Sequence, residues 1–239
     1  MMTDNGDTHD SRKDIVVKAT PAKAEDKVLP VTVSLRSYFS RHHLFGARHF
    51  VELTLNIEDA HTEGRLFNFD NHRVYAINAI LSSVAYMEAA INQVFQDAAD
   101  GEEFYLRSLS RDSKATMKKL WTNKRRLGLL EKYRLALKGA RQSLLDRGSP
   151  LYERAYLVVQ LRNALVHAMP TSYTVGTKDQ YGWVKSLKAK RFARHPLMRN
   201  SGNPFFPDKC LAYGCAKWAL NSCEKFVGTF YKKMSLNPP

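Results

Sequence analysis

An arginine and a histidine five positions apart, Arg162 and His167, stand in the stretch "LRNALVHA", which otherwise reads as an apolar helix. A guanidinium can hold a phosphate oxygen in forked geometry and stabilise the charge of a phosphorane-like transition state. An imidazole can take the proton of a 2'-hydroxyl or give one to the leaving 5'-oxygen, and a place at a helix C-terminus favours the acid role. The pair suits RNA cleavage that needs neither a metal ion nor a cofactor.

The helical spacing limits how these two side chains can meet. On a regular helix Asn163 and His167, four apart, share a face, whereas Arg162 and His167 diverge by about 140°. They could converge if the long arginine folds around the helix, if the last turn distorts, or if two subunits supply one site jointly. The third route predicts a homodimer.

A structural alternative gives Arg162 no chemistry at all. Both Glu88 and Arg162 lie on the apolar stripes of predicted helices, so that they could pair and hold the two helices in register. His167 would then merely cap a helix end. The two interpretations overlap, because Glu88 could also orient a catalytic Arg162.

Hydrophobic periodicity predicts the helices that must position these residues. Three of the predicted helices cover about 72–99, about 150–169 and about 208–232. Another has an apolar stripe from Leu130 to Leu144 and lies between the first two. The helix over 150–169 has the clearest start, since a stop glycine, an N-cap serine and an N1 proline follow one another at 148–150. It should end near Met169, because Pro170 disfavours helical geometry in the residue before it. A long connection, 170–207, follows.

The N-terminal region shows a different pattern. Residues 1–30 are polar and charged, which predicts a disordered tail. In 31–70 the stretches "VTVSLRSYF" and "HFVELTLNI" alternate apolar and polar residues, which predicts a small β-hairpin or sheet. The intervening "RHHLFG" would be a turn, with His42 and His43 as turn residues. The predicted organisation is a tail, a β-rich extension over 31–70 and a helical bundle over 71–239.

Positive charge is concentrated in two stretches of the chain. Residues 107–147 hold thirteen bases against three acids, and residues 178–199 hold seven bases against one. Such density favours a polyanionic partner, most simply nucleic acid and secondly an anionic membrane surface, although a solvated helix face is the alternative. The candidate RNA-binding residues are Lys118, Lys119, Lys124, Arg125, Arg126, Lys188, Lys190 and Arg191. Trp121 could stack on a nucleobase or pack in the core. His195 could be a second acid or base, but an exposed loop histidine is more often a bystander without a role.

Other features narrow the class of protein. The first thirty residues lack the apolar core of a secretory signal, and no stretch offers about 18 uninterrupted apolar residues. We therefore expect a cytoplasmic protein without a membrane span. Cys210, Cys215 and Cys223 have no neighbouring ligand set, so that they read as reduced packing residues.

The stretch "LRNALVHA" resembles the signature of the HEPN (higher eukaryotes and prokaryotes nucleotide-binding) domains, with Arg162, Asn163 and His167 in the motif positions. The resemblance extends over about 72–233 and includes "SSVAYMEAAINQVF", "SPLYERA" and "FPDKCLAYGCAKWAL". It implies a four- or five-helix bundle, usually dimeric. Many members are metal-independent endoribonucleases of defence, toxin and antitoxin pairs, or RNA processing. Met169 stands where one subgroup has a tyrosine that a partner transferase modifies, so the sequence departs from that subgroup.

The resulting expectation is an endoribonuclease that cleaves RNA by 2'-hydroxyl attack. Arg162 would stabilise the phosphate, His167 would transfer the proton, Asn163 would orient and Glu88 would support. A toxin or defence role would bring an antitoxin or regulatory protein as a further partner. The alternative is a catalytically inactive module of the same fold that binds nucleic acid or a protein.

Overall fold

A computed structural model describes residues 36–102, 105–124, 127–170 and 182–237, with the backbone alone at 122–124. Its helices are α1 (Ser40–Thr62), α2 (Phe69–Asp100), α3 (Arg111–Lys124), α4 (Leu129–Gly139), α5 (Pro150–Val166), α6 (Gly182–Lys188), a short π-helical turn (Phe205–Lys209) and α7 (Tyr213–Met234). The described residues contain no β-strand. The predicted mainly helical class is confirmed.

Helix α2 is the centre of the bundle and packs against α1, α3, α4, α5 and α7. The Asn68 side chain caps its start by accepting a hydrogen bond from the backbone N–H of Asn71, and Gly101 ends it in the left-handed region at φ 72°. Among the described helices, α2 is the one long and apolar enough to cross a membrane, and half of its most apolar window is buried inside the protein. The core helix of a globular protein has the same properties.

Helix α5 begins as the sequence predicts. The Ser149 hydroxyl accepts a hydrogen bond from the backbone N–H of Tyr152, and Pro150 occupies the first turn. The helix ends at Val166, three residues before the predicted end at Met169, and His167 is its C-cap. Arg162 and Asn163 therefore lie in the last two turns of α5, whose N-terminus is stabilised by the Ser149 cap and Pro150.

The predicted β-hairpin is wrong over 40–62, where the chain forms α1. The stretch "HFVELTLNI" satisfies a helical pattern as well, since Ala47, Val51 and Thr54 are spaced for one helix face and are all buried. Ala47 and Val51 pack in one cluster with Ala79 and Leu220, where small side chains let the helices approach closely. His42 and His43 belong to the first turn of α1 rather than to a loop. The predicted tail, 1–30, and residues 31–35 lie outside the described residues.

Two further predictions need correction. Helix α4 stops at Gly139, so that Leu144 is 44% exposed and does not continue the stripe. The backbone turns at Arg141, which has φ 56°, and brings Leu145 into the core instead. His195 is not an exposed bystander, because its side chain is buried. The described part of the 170–207 connection is also structured, with α6 and the start of the π-helical turn.

Candidate functional site

The guanidinium of Arg162 projects from α5 toward the side of α2. Its Nη2 donates to Oε2 of Glu88 at 3.4 Å, and its Nη1 donates to Oδ1 of the adjacent Asn163 at 3.0 Å. The side chains of Arg162 and Glu88 are 29% and 39% exposed. Two partners therefore orient the guanidinium, and the Arg162 side chain stays partly exposed to solvent.

Glu88 is shared between two cations. While Oε2 meets Arg162, Oε1 lies 3.5 Å from Nζ of Lys132 on α4, whose side chain is almost fully buried. Lys132 Nζ also donates to Oδ1 of Asn92 at 3.0 Å. The pairs tie α2, α4 and α5 together, and the three charged groups sum to one net positive charge.

A row of polar side chains continues this site along α2. Glu88, Asn92 and Gln96 are four residues apart and so follow one face of the helix. Oε1 of Gln96 accepts a hydrogen bond of 2.9 Å from Nε1 of Trp121 on α3. Lys132 Nζ lies 5.8 Å from the centroid of that indole ring, within reach of a cation–π contact. Asn92 and Gln96 thus bind neighbouring helices through their side chains.

Sequence reasoning missed Lys132, which it counted only as one base in a charged stretch. The available signal was its register, because Lys132 lies three residues after Leu129 and four before Ala136 and so borders the apolar face of α4. Trp121 is buried and its ring stacks on Phe95 with centroids 5.4 Å apart. Of its two predicted roles, core packing is the one observed.

His167 lies at the exposed end of α5. Its backbone N–H donates to the carbonyl of Asn163 at 2.9 Å, and its side chain is exposed to solvent. Because α5 is regular as far as Val166, the divergence of about 140° between positions 162 and 167 persists. The structure brings Arg162, Asn163 and Glu88 together, while His167 lies at the exposed end of α5, one turn beyond Asn163.

The candidate RNA-binding residues are distributed over two regions. Lys118 and Lys119 are exposed on α3, and Lys188 and Arg191 are exposed at and after the end of α6. Lys190 is half-buried and its Nζ lies 2.9 Å from Oε2 of Glu153, which attaches the end of α6 to α5. The side chains of Lys124, Arg125 and Arg126 lie outside the described residues.

The cysteines and acidic residues form no metal centre in the described ranges, where no group of three or more potential ligands is close enough to hold an ion. Cys210, Cys215 and Cys223 are free thiols, and all three are buried. Burial raises the pKa of the Cys223 thiol well above its usual range, which makes it a packing residue rather than a nucleophile. No protein-family model, characterised protein or solved structure matches this chain.

Proposed function

We propose that this protein is a metal-independent endoribonuclease of the HEPN type. The observation that carries the proposal is the arrangement of Arg162, whose guanidinium is oriented by Glu88 and Asn163 while its side chain remains 29% exposed. An arginine used only as a scaffold gains nothing from exposure, whereas one that binds a phosphate needs it. Its position in a motif that resembles the HEPN signature supports the same function.

In the proposed reaction the 2'-hydroxyl of a nucleotide attacks the adjacent phosphorus. Arg162 would bind a non-bridging oxygen and stabilise the charge that accumulates on it. His167 would give a proton to the departing 5'-oxygen, while the proton of the 2'-hydroxyl leaves to solvent or to a second base. The products are a 2',3'-cyclic phosphate and a 5'-hydroxyl end.

The wide angle between Arg162 and His167 supports a homodimer in which each site takes one residue from each subunit. Exposed lysines such as Lys118, Lys119 and Lys188 would attract the RNA phosphates, and the affinity for RNA would fall as the salt concentration rises. Such an enzyme would act in the cytoplasm, and an antitoxin or regulatory protein would keep it in check.

The test is incubation of the purified protein with total cellular RNA in EDTA, comparing wild type, Arg162→Ala and His167→Ala. Arg154→Ala is the matched control, because Arg154 is an exposed arginine on the same helix. Fragment ends are read chemically, and circular dichroism reports whether each variant is folded. Cyclic phosphate ends from wild type and Arg154→Ala alone, with all variants helical, are the expected result. Cleavage that survives in folded His167→Ala and Arg162→Ala would contradict the proposed roles.

A second candidate is an inactive module of the same fold that binds nucleic acid or a protein partner. It is favoured by one observation, the bridge from Arg162 through Glu88 to Lys132, which would serve as a scaffold between three helices. In that case Arg162→Ala would lose helicity, and the wild type would leave RNA intact. Binding of RNA at low salt would separate the nucleic-acid module from the protein-binding one.

A further inference from the structure

Two histidine side chains are buried together at the other end of α2. His72 and His195 are 0% and 1% exposed, and their ring centroids lie 4.7 Å apart in an edge-to-face arrangement. Phe67 lies 4.8 Å from the ring of His72 and 5.3 Å from that of His195, and Phe69 lies 5.3 Å from His195. Burying two titratable rings among aromatic side chains is costly unless each ring is neutral or paired.

The hydrogen bonds assign the proton on each ring. Nδ1 of His195 accepts a bond of 3.2 Å from the backbone N–H of Leu197, so that the proton of the neutral ring is on Nε2. Nε2 of His72 lies 2.8 Å from Oε1 of Glu58 and must donate to that carboxylate. The same oxygen accepts the backbone N–H of Tyr213 at 2.8 Å. The pair thereby links α1, the start of α2, the segment before the π-helical turn and the start of α7.

Each ring keeps one buried nitrogen without a hydrogen-bond partner, Nε2 of His195 and Nδ1 of His72. The hydrogen bond from Leu197 needs an unprotonated Nδ1 on His195, which the neutral ring with its proton on Nε2 provides. A proton added at Nδ1 would oppose the N–H of Leu197 and cancel the hydrogen bond that it donates.

The surrounding charges oppose a proton on His195 only in part. The pKa of His195 is lowered to about 4, chiefly by burial and also by His72 and Arg73, while Glu58 and Asp208 act in the opposite direction. Arg73 is itself paired with Asp208 of the π-helical turn. In the folded protein the His195 ring therefore stays neutral at mildly acidic pH values, at which an exposed histidine is already charged.

His195 ties the middle of the segment 189–204 to its neighbours through the backbone as well as through its ring. The His195 backbone N–H donates to the carbonyl of Lys209 at 2.9 Å, and its carbonyl accepts from the N–H groups of Met198 and Arg199. Nearby, the backbone of Ala193 lies so close to Gly214 that a Cβ there would come within 2.4 Å of the Ala193 carbonyl oxygen. The segment is thus seated on the start of α7 and fastened in its middle by His195, while the Lys190–Glu153 ion pair and the ring of Phe192 hold its beginning.

The geometry points to an acid-sensitive latch in which neutral His195 fastens the cationic segment 189–204 to α1, α2 and α7, and protonated His195 releases it. The released segment carries Arg191, Arg194 and Arg199, whereas Lys190 at its start stays paired with Glu153, so that acidification would make a basic stretch of chain accessible to an anionic partner. This inference concerns folding of the segment and holds whether or not the protein cleaves RNA.

Hydrogen exchange measured by mass spectrometry, corrected for intrinsic exchange, tests the latch. In wild type, protection of peptides from 189–204 should fall about thirtyfold between about pH 7.5 and about pH 5, as a shift from 6.5 to about 4 requires. Peptides from the middle of α2 should stay protected. His195→Asn, whose amide oxygen can still accept from Leu197 but cannot titrate, should show equal protection at both pH values. His49→Asn, an exposed histidine of α1, should behave as wild type.

Three results would overturn the latch. Wild-type protection could be unchanged on acidification, or α2 could lose protection together with the segment, or His195→Asn could open as wild type does. Ring ¹⁵N shifts of wild-type His195 keep the test decisive if the asparagine variant fails to fold. The Nε2–H form at about pH 7.5 and protonation only with loss of segment order are expected, whereas an Nδ1–H form at neutral pH would refute the latch.

Discussion

Replacing Arg162 by alanine separates a working guanidinium from a structural one through its effect on stability. The Nη2 to Oε2 contact with Glu88 is long, at 3.4 Å, and both side chains are substantially exposed. Exposed ion pairs contribute about 0–1 kcal/mol, and the hydrogen bond to Asn163 adds about 0.5–1 kcal/mol at most. We therefore expect Arg162→Ala to lower the free energy of unfolding by about 1–2 kcal/mol.

Glu88→Ala should cost more, about 2–3 kcal/mol, because it also leaves the buried ammonium of Lys132 with Asn92 as its remaining hydrogen-bond partner. A double-mutant cycle in urea, followed by far-ultraviolet circular dichroism, gives the Glu88 and Arg162 coupling. We expect it to be about 1 kcal/mol or less. Arg154→Ala on the same helix controls for helix propensity and surface charge.

The reasoning would be refuted if Arg162→Ala cost about 3–5 kcal/mol and the cycle assigned most of that loss to Glu88. Those magnitudes are typical of a buried ion pair that has lost one partner. Arg162 would then be a structural residue, and the protein a binding module. A small loss of stability joined to complete loss of RNA cleavage would instead require that the guanidinium acts on the substrate.

Four further outcomes are expected. Lys132→Met should change stability by less than about 1 kcal/mol in urea, because an apolar side chain of similar length fills its buried site, but should raise the KM for RNA. Ser149→Ala should cost about 1 kcal/mol through loss of the N-cap, with the same urea assay as the measure. Gly214→Ala should give a lower thermal midpoint and a more protease-sensitive chain, since its Cβ would collide with the Ala193 backbone. Because the pKa of His195 is lowered in the folded state, the contribution of His195 to stability is complete above about pH 6.5 and is lost as the pH falls toward 4. Between about pH 7.5 and about pH 5, wild type should therefore lose about 2 kcal/mol more stability in urea than His195→Asn does.

The helices that carry long, strongly periodic patterns could be predicted from sequence, and those with two compatible patterns could not. Helix α2 has an apolar stripe over about six turns, from Ala76 to Ala98, and α5 has a serine and a proline that define its start. The segment that forms α1 alternates like a strand and is also spaced like a helix. The helix is favoured there by the packing of Ala47 with Ala79. These residues are distant in sequence, so the local pattern could not predict their contact.

The same limit applies to the charged residues of the site. Glu88 and Arg162 could be matched because each interrupts an apolar stripe, and a charge in such a position needs a partner. Lys132 borders its stripe among many other bases, so that nothing local distinguishes it from exposed ones. The burial of His195 could not be predicted for a related reason. His195 stands in a strongly basic segment, and the rings that bury it, Phe67 and Phe69, come from a much earlier part of the chain.

Glu88 pairs with both Arg162 and Lys132, and this sharing lets the same three residues connect helices and still bind an anion in the proposed function. If Glu88 served Arg162 alone, a bidentate pair would neutralise the guanidinium and leave little attraction for a phosphate. Lys132 draws one carboxylate oxygen away, so that Arg162 keeps a single long contact and most of its charge. A phosphate arriving at Arg162 would then compete with a weakened partner rather than with a full ion pair. Under the proposed function, Lys132 should therefore affect RNA affinity from its buried position.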